Sequence, residues 1–242
     1  MIKKFLKKII YGHRCDGETY INFLRSIGCR IGKETKVYAP RNVLIDETRP
    51  WLIDIGDNVQ ITDGVRILTH GYDWSVLKVK YGNVLGSSGK VKIGNNVFIG
   101  VNTTVLKGVT IGNNVIIGAN SLVNKDCIKE GVYGGDPVRY IMPLEEYFNK
   151  RKKRQLDEAT ECAIEYYNVY KKWPEKEIFR EFFWLFENKK EKLCDTFDEV
   201  MNLEGNSEKS YKVFEKNEKK FESYDEFMKF VREEKNDKKN IK

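Results

Sequence analysis

Ile93-Gly-Asn-Asn-Val-Phe-Ile-Gly-Val-Asn-Thr-Thr-Val-Leu-Lys-Gly-Val-Thr-Ile-Gly-Asn-Asn-Val-Ile-Ile-Gly-Ala-Asn-Ser-Leu-Val-Asn-Lys-Asp126 repeats itself every six residues. Ile93, Ile99, Val105, Ile111, Ile117 and Val123 mark the period, and Gly follows the mark at 94, 100, 112 and 118. Four places after each mark stand Val97, Thr103, Val109, Val115, Ser121 and Cys127, all small or β-branched. An inward branched side chain suits a core, a second one suits the pleat, and Gly suits a corner with no room for a side chain. The unit is a strand of a few residues followed by a tight turn.

The same step runs upstream through Ile31, Val37, Val43, Arg49, Ile55, Ile61 and Ile67, with Gly32, Gly56, Ile53, Val59 and Val65 in the accessory registers. Twelve of the thirteen marked positions are Ile or Val, where chance would place about two. Three sides of six residues close a coil of eighteen, so the period predicts a triangular solenoid whose coils pair only with their neighbours. Periodicity leaves the hand of the coil open.

Residues 31–142 resemble the hexapeptide-repeat acyltransferases, most strongly over Ile93–Asp126. The closing Gly134-Gly-Asp-Pro-Val-Arg-Tyr-Ile141 is similar to the G-x-P-A-[KR]-x-[IL] ending of acetyl-CoA-dependent members, with Val138 in place of the usual Ala. The resemblance implies a left-handed parallel β-helix, acetyl-CoA as co-substrate, and an O-acetyltransferase acting on a sugar or polysaccharide hydroxyl. It also implies a homotrimer, with the CoA and the acceptor in the cleft between two coils.

Between Ile67 and Ile93 the period breaks, and Tyr72–Gly89 reads as a loop excursion. Loops thrown out from a rigid scaffold commonly carry functional groups. His70 stands at its edge, in Ile67-Leu-Thr-His-Gly-Tyr-Asp-Trp74. Acyl transfer to an alcohol needs the hydroxyl proton removed as oxygen attacks, and a neutral imidazole serves at cellular pH. In the resembling family a His in this context is the general base, so His70 is the expected catalytic residue. A base needs an orienting partner; Asp63, one corner away, is favoured over Asp73 in the loop itself. Asp73, Tyr72 and Trp74 are candidates for acceptor binding, although aromatic side chains of such loops also serve as anchors. From the resemblance come Val101 and Ala119 as backbone contacts to the pantetheine arm, and Lys125 and Arg139 as phosphate contacts.

Other chemistries fit poorly. His13 and His70 are the only histidines, too few for a three-histidine zinc centre, so no metal is expected. Gly86-Ser-Ser-Gly-Lys-Val91 lacks both the first Gly and the final Ser or Thr of a phosphate loop. The five cysteines form no C-x-x-C pair, which fits a reducing, cytoplasmic setting. The net charge of +7 gathers at the start: Lys3, Lys4, Lys7, Lys8 and Arg14 carry +5 of it, and no acidic residue lies among the first fourteen. The remainder is nearly neutral, so no nucleic-acid stripe is expected. No apolar run approaches the about 20 residues of a membrane span, and the composition, 40% hydrophobic and 33% charged over 242 residues, is that of a globular protein.

The ends read as helical. Residues 1–30 form an expected cap, with Phe5, Ile9 and Ile10 near one face, then an amphipathic Glu18–Ile27 stopping at Gly28. Residues 143–242 read as a helical extension: Leu144 to about Tyr170, a break at Pro174, Glu175–Phe186, further helices to about Val231 and a frayed tail. Two other functions remain open on sequence grounds: N-acylation of an amino sugar, and a non-catalytic assembly solenoid, whose mark would be intact repeats with no pocket beside His70.

Overall fold

The computed structural model describes residues 2–240, with side chains over 6–237. The side chains of Lys3, Lys4 and Phe5 therefore lie outside the described residues. The chain divides into two compact units, residues 1–147 and 148–242.

The first unit opens with α1 (Ile2–Tyr11), a short 3-10 turn (Gly12–Arg14) and α2 (Gly17–Ser26). Asp16 caps α2 by accepting from the Thr19 N–H at 2.8 Å, which satisfies an otherwise unpaired donor of the first turn. Tyr20, Ile21 and Leu24 are buried on the solenoid core, so α2 covers the open end of the first coil.

The coils follow as β1 (Arg30–Ile31), β2 (Lys36–Val37), β3 (Leu44–Ile45), β4 (Ile53–Ile55), β5 (Val59–Ile61) and β6 (Arg66–Ile67). After the excursion come β7 (Val91–Ile93), β8 (Val97–Ile99), β9 (Thr104–Val105), β10 (Thr110–Ile111), β11 (Val115–Ile117) and β12 (Leu122–Val123). A hairpin of β13 (Gly131–Gly134) and β14 (Arg139–Met142) closes the far end. Three parallel sheets result: β1-β4-β7-β10, β2-β5-β8-β11-β13 with antiparallel β14 at its edge, and β3-β6-β9-β12. Ile31, Ile55, Ile93 and Ile111 stack in one column. Val37, Ile61, Ile99 and Ile117 form the second, and Ile45, Ile67, Val105 and Val123 the third. Most of these side chains are fully buried, each contributing about 1.5–3 kcal/mol.

The third column corrects the upstream reading. Ile45, not Val43, stands on Ile67; Val43 is buried opposite Val65, and Arg49 lies in a corner. The turn before β3 is two residues longer than six and the turn before β4 four longer, so together they restore the phase and hide the insertion.

The corners are built from stacked Gly and from Asn with positive φ. A Cβ at Gly94 would lie 2.8 Å from the Gly112 carbonyl, closer than two coils of backbone allow. Asn58, Asn96 and Asn114 adopt φ of +52° to +55°, a region that Asn tolerates better than most residues. Their side chains form a ladder, Asn58 to Asn96 at 3.0 Å, Asn96 to Asn114 at 2.8 Å and Asn114 to Glu130 at 2.7 Å.

The excursion leaves after β6 and contains α3 (Trp74–Tyr81), which has no buried residue. The long α4 (Leu144–Tyr170) matches its expected span. In the second unit, Glu175–Phe186 is not one α-helix but two 3-10 turns, Lys176–Phe179 and Phe183–Leu185. Phe179, Phe183 and Phe186, spaced i, i+4 and i+7, are all buried there, and so is Leu185, which would lie off the face those three share on an α-helix. α5 (Asp195–Met201), α6 (Ser207–Phe214) and α7 (Tyr224–Asn240) complete a separate aromatic core with Phe197, Phe214 and Phe227. α7 continues through the segment expected to fray after Val231.

Candidate functional site

His70 sits at the neck of the excursion. It forms an antiparallel bridge with Ser88; the Gly71 N–H donates to the Ser87 carbonyl at 3.0 Å and the Gly89 N–H to Thr69 at 2.9 Å. The loop is thus clamped where its ends meet, and the imidazole inherits the rigidity of the coil.

The orienting partner is Asp46, from the turn that follows β3. His70 Nδ1 lies 2.6 Å from Asp46 Oδ2. An ionised carboxylate only accepts, so Nδ1 carries the hydrogen and the neutral ring keeps its lone pair on Nε2. The pairing follows from the coil, because the Ile45–Ile67 register sets the turn after β3 beside the turn after β6. Burial alone would raise the pKa of Asp46, whose side chain is 6% exposed. Hydrogen bonds from the Thr69 hydroxyl, from the Thr48 hydroxyl and N–H, and from His70 outweigh it and hold the carboxyl well below its usual range. The His70 side chain itself is one-third exposed.

A cavity of about 360 Å³ opens beside the ring, lined by Arg14, Leu44, Glu47, Thr48, Leu68 and His70. Arg14 comes from the N-terminal cap. Its guanidinium donates to the Pro40 and Val43 carbonyls at 2.8 and 2.7 Å and pairs with Glu47 at 2.5 Å. The Tyr20 hydroxyl donates to the same Glu47 oxygen at 3.0 Å. A larger cavity, about 520 Å³, lies against α2 and β2 and holds no imidazole.

The residues singled out by sequence fall on two edges of the prism. Asp63, exposed, Val101 and Ala119 stack at the corner between the second and third sheets; the Asn102 N–H donates to the Asp63 carbonyl and the Asn120 N–H to that of Val101. Asp63 thus shares an edge with the expected CoA contacts, and the hydrogen bond expected of it is made by Asp46. Arg139 opens β14 opposite Gly134, in the strand pair that extends the second sheet beyond β11. Lys125 lies on the other edge, in line with Thr69 beside His70, with Lys107 in the intervening coil. Tyr72 is 70% exposed and its ring contacts Trp74 at 4.8 Å; Asp73 starts α3 with no side-chain cap bond. Cys29 and Cys127 are not nucleophiles at neutral pH, since burial, aided by nearby carboxylates, pushes both thiols up to about 11.

Sequence reading missed Asp46, Glu47, Thr48, Lys107 and Arg14. Only the corrected register would have found the first three, as coil neighbours of Leu68–His70.

Residues 90–125 match the family model described as bacterial transferase hexapeptide (six repeats). Protein CapG of Staphylococcus aureus is 41% identical over 128 residues, which are 52% of this chain and 73% of CapG. The chain belongs to the bacterial hexapeptide-repeat transferases. "Putative acetyltransferase YvoF" of Bacillus subtilis (strain 168) is 36% identical over 134 residues, 55% of this chain and 70% of that one. Among solved structures, a maltose O-acetyltransferase from Clostridium difficile 630 is 29% identical with a TM-score of 0.39, covering 52% of this chain and 75% of its own. This hexapeptide-repeat transferase is an acyltransferase built on a parallel β-helix, with helices before and after the coil.

Proposed function

We propose that the chain transfers an acetyl group from acetyl-CoA to a sugar hydroxyl of a glycan or surface-polysaccharide precursor in the cytoplasm, with His70 as general base. The observation that carries this reading is the 2.6 Å pairing of His70 Nδ1 with buried Asp46 beside an open cavity. The ring is held in the tautomer that accepts a proton on Nε2. Nε2 takes the acceptor's hydroxyl proton as its oxygen attacks the thioester, and the imidazolium, stabilised by Asp46, returns that proton to the departing sulfur. Glu47 accepts from Arg14 and Tyr20 at one carboxylate oxygen, and the other is available to an acceptor hydroxyl.

Acetyl-CoA fits the opposite edge. Val101 and Ala119 expose backbone at a corner where Gly100 is kept bare by the next coil: a Cβ there would lie 2.5 Å from the Ala119 nitrogen. Arg139 is exposed and suited to phosphate, and so is Lys125, which lies on the edge that carries His70 and would reach the CoA held by a neighbouring copy. One chain separates this edge from His70, so a homotrimer is the arrangement we propose: the cleft between two copies brings the imidazole of one to the CoA edge of the next. The name of the YvoF relative supports acetyl transfer.

The test is an acceptor screen with product mass measurement on the purified chain and its His70→Ala variant. The reading expects acetylation of hydroxyl acceptors, a turnover reduced by about 10² or more in the variant, and little change in acetyl-CoA affinity. Turnover of amino sugars alone overturns O-acetylation, and an unaffected variant removes His70 from the mechanism.

A further inference from the structure

In α1, Leu6, Ile9 and Ile10 stand 50%, 64% and 68% exposed, and none belongs to either core cluster. By sequence spacing at about 100° per residue, Ile2, Phe5, Leu6, Ile9 and Ile10 occupy one arc of about 140°, and Lys3, Lys4, Lys7 and Lys8 occupy the rest with Tyr11. Helices shorter than about 12–15 residues are marginal in water on their own. α1 has ten residues, so its apolar face needs cover.

Charge decides what covers it. The first fourteen residues carry five basic side chains and no acidic one, and the rest of the chain holds only +2 of the net +7. A second copy brings the same lysines to the contact and no acidic surplus to meet them. An anionic lipid surface offers both things this helix lacks, an apolar layer and a plane of negative charge. We infer that α1 lies in the surface of an anionic bilayer, its apolar arc in the acyl boundary and its lysines among the headgroup phosphates. No described helix is long and apolar enough to cross a membrane, so the attachment is peripheral.

The helix is joined to the candidate site. Arg41 stacks on the Tyr11 ring at 4.4 Å, and three residues later Arg14 enters the wall of the cavity that holds His70. Lipid-held α1 therefore brings that cavity to the membrane surface. The attachment goes beyond the acetyl-transfer reading and does not depend on it.

Co-sedimentation of the full chain with vesicles of phosphatidylcholine alone, and of equal parts phosphatidylcholine and phosphatidylglycerol, tests the inference. The full chain is expected on the anionic vesicles and not on the neutral ones, with binding weakened by salt. Ile9→Glu with Ile10→Glu, and separately Lys7→Glu with Lys8→Glu, should each lower the partition constant by about tenfold or more. Thermal unfolding followed by circular dichroism verifies that these surface variants stay folded. Absent binding to anionic vesicles, equal binding to neutral ones, or partition unchanged in both folded variants overturns it. So does a lipid-independent self-association that Ile9→Glu with Ile10→Glu abolishes, since the cover is then a second copy.

Discussion

A carboxylate removed from water keeps its charge only where several donors replace the solvent, and Asp46 has the Thr69 and Thr48 hydroxyls, the Thr48 N–H and the His70 ring around it. Those bonds stabilise the ionised form in the folded chain alone. Asp46 thus contributes stability that is fully present above its ordinary value near 3.9 and is lost as pH falls below that towards its lowered folded value. Asp46→Asn should be less stable at neutral pH, with the gap in urea midpoint closing as the solution is acidified below about pH 4. The same variant should lose about 10²-fold or more in kcat with the acetyl-CoA KM little changed, because the imidazolium loses its counter-charge while the thioester edge is untouched. An equal kcat for the variant would separate Asp46 from the chemistry. His70 was legible because one imidazole beside a broken period stands out. Asp46 was not, because its link to His70 spans 24 residues and exists only through coil stacking.

At the scale of the element, the corners control the solenoid more tightly than the strands, which are only two or three residues long in the coils. Gly94 shows why: its missing side chain is the space in which the backbone of the next coil lies. Gly94→Ala forces two coils apart and should destabilise by well over about 1 kcal/mol. Gly86→Ala, whose Cβ meets nothing within 4 Å, should change stability by less than about 0.5 kcal/mol. Thermal unfolding of the pair distinguishes a steric corner from a general dislike of losing glycine; equal shifts would refute the stacking argument. The strands β7 to β12 were readable residue by residue because no insertion interrupts them. In the first coils, the excesses of two long turns add up to one whole period, so Val43 took the place of Ile45 and Arg49, a corner residue, was counted as a mark. Asn96 and Asn114 each follow another Asn and Asn58 follows Asp57, but their ladder requires knowing which coil lies above which.

At the scale of the whole molecule, two cores share no residue. The solenoid core and its packed neighbours end at Tyr140, and the helical core with its own begins at Leu156. Sequence signalled the second as helical and aromatic, yet its path was beyond reach: Phe179, Phe183 and Phe186 keep a helical spacing where the chain forms 3-10 turns, and contacts such as Phe183 stacked on Phe197 at 4.6 Å have no sequence signature. Each core is made of its own unit's residues, and a domain with its own core can fold as a unit. A chain ending at residue 147 should therefore retain the β-sheet circular dichroism of the solenoid and its cooperative melt. If His70, Lys125 and the Val101–Ala119 corner hold the thioester substrate, as proposed, the same shortened chain must also be stabilised by CoA. Binding to the native state alone raises stability by RT ln(1 + [L]/Kd), so at equal CoA concentration the two chains should gain stabilisations agreeing within about 0.5 kcal/mol. A shortened chain that melts as before but no longer responds to CoA would assign part of the substrate site to the helical unit, and would remove the solenoid edges as a sufficient account of binding.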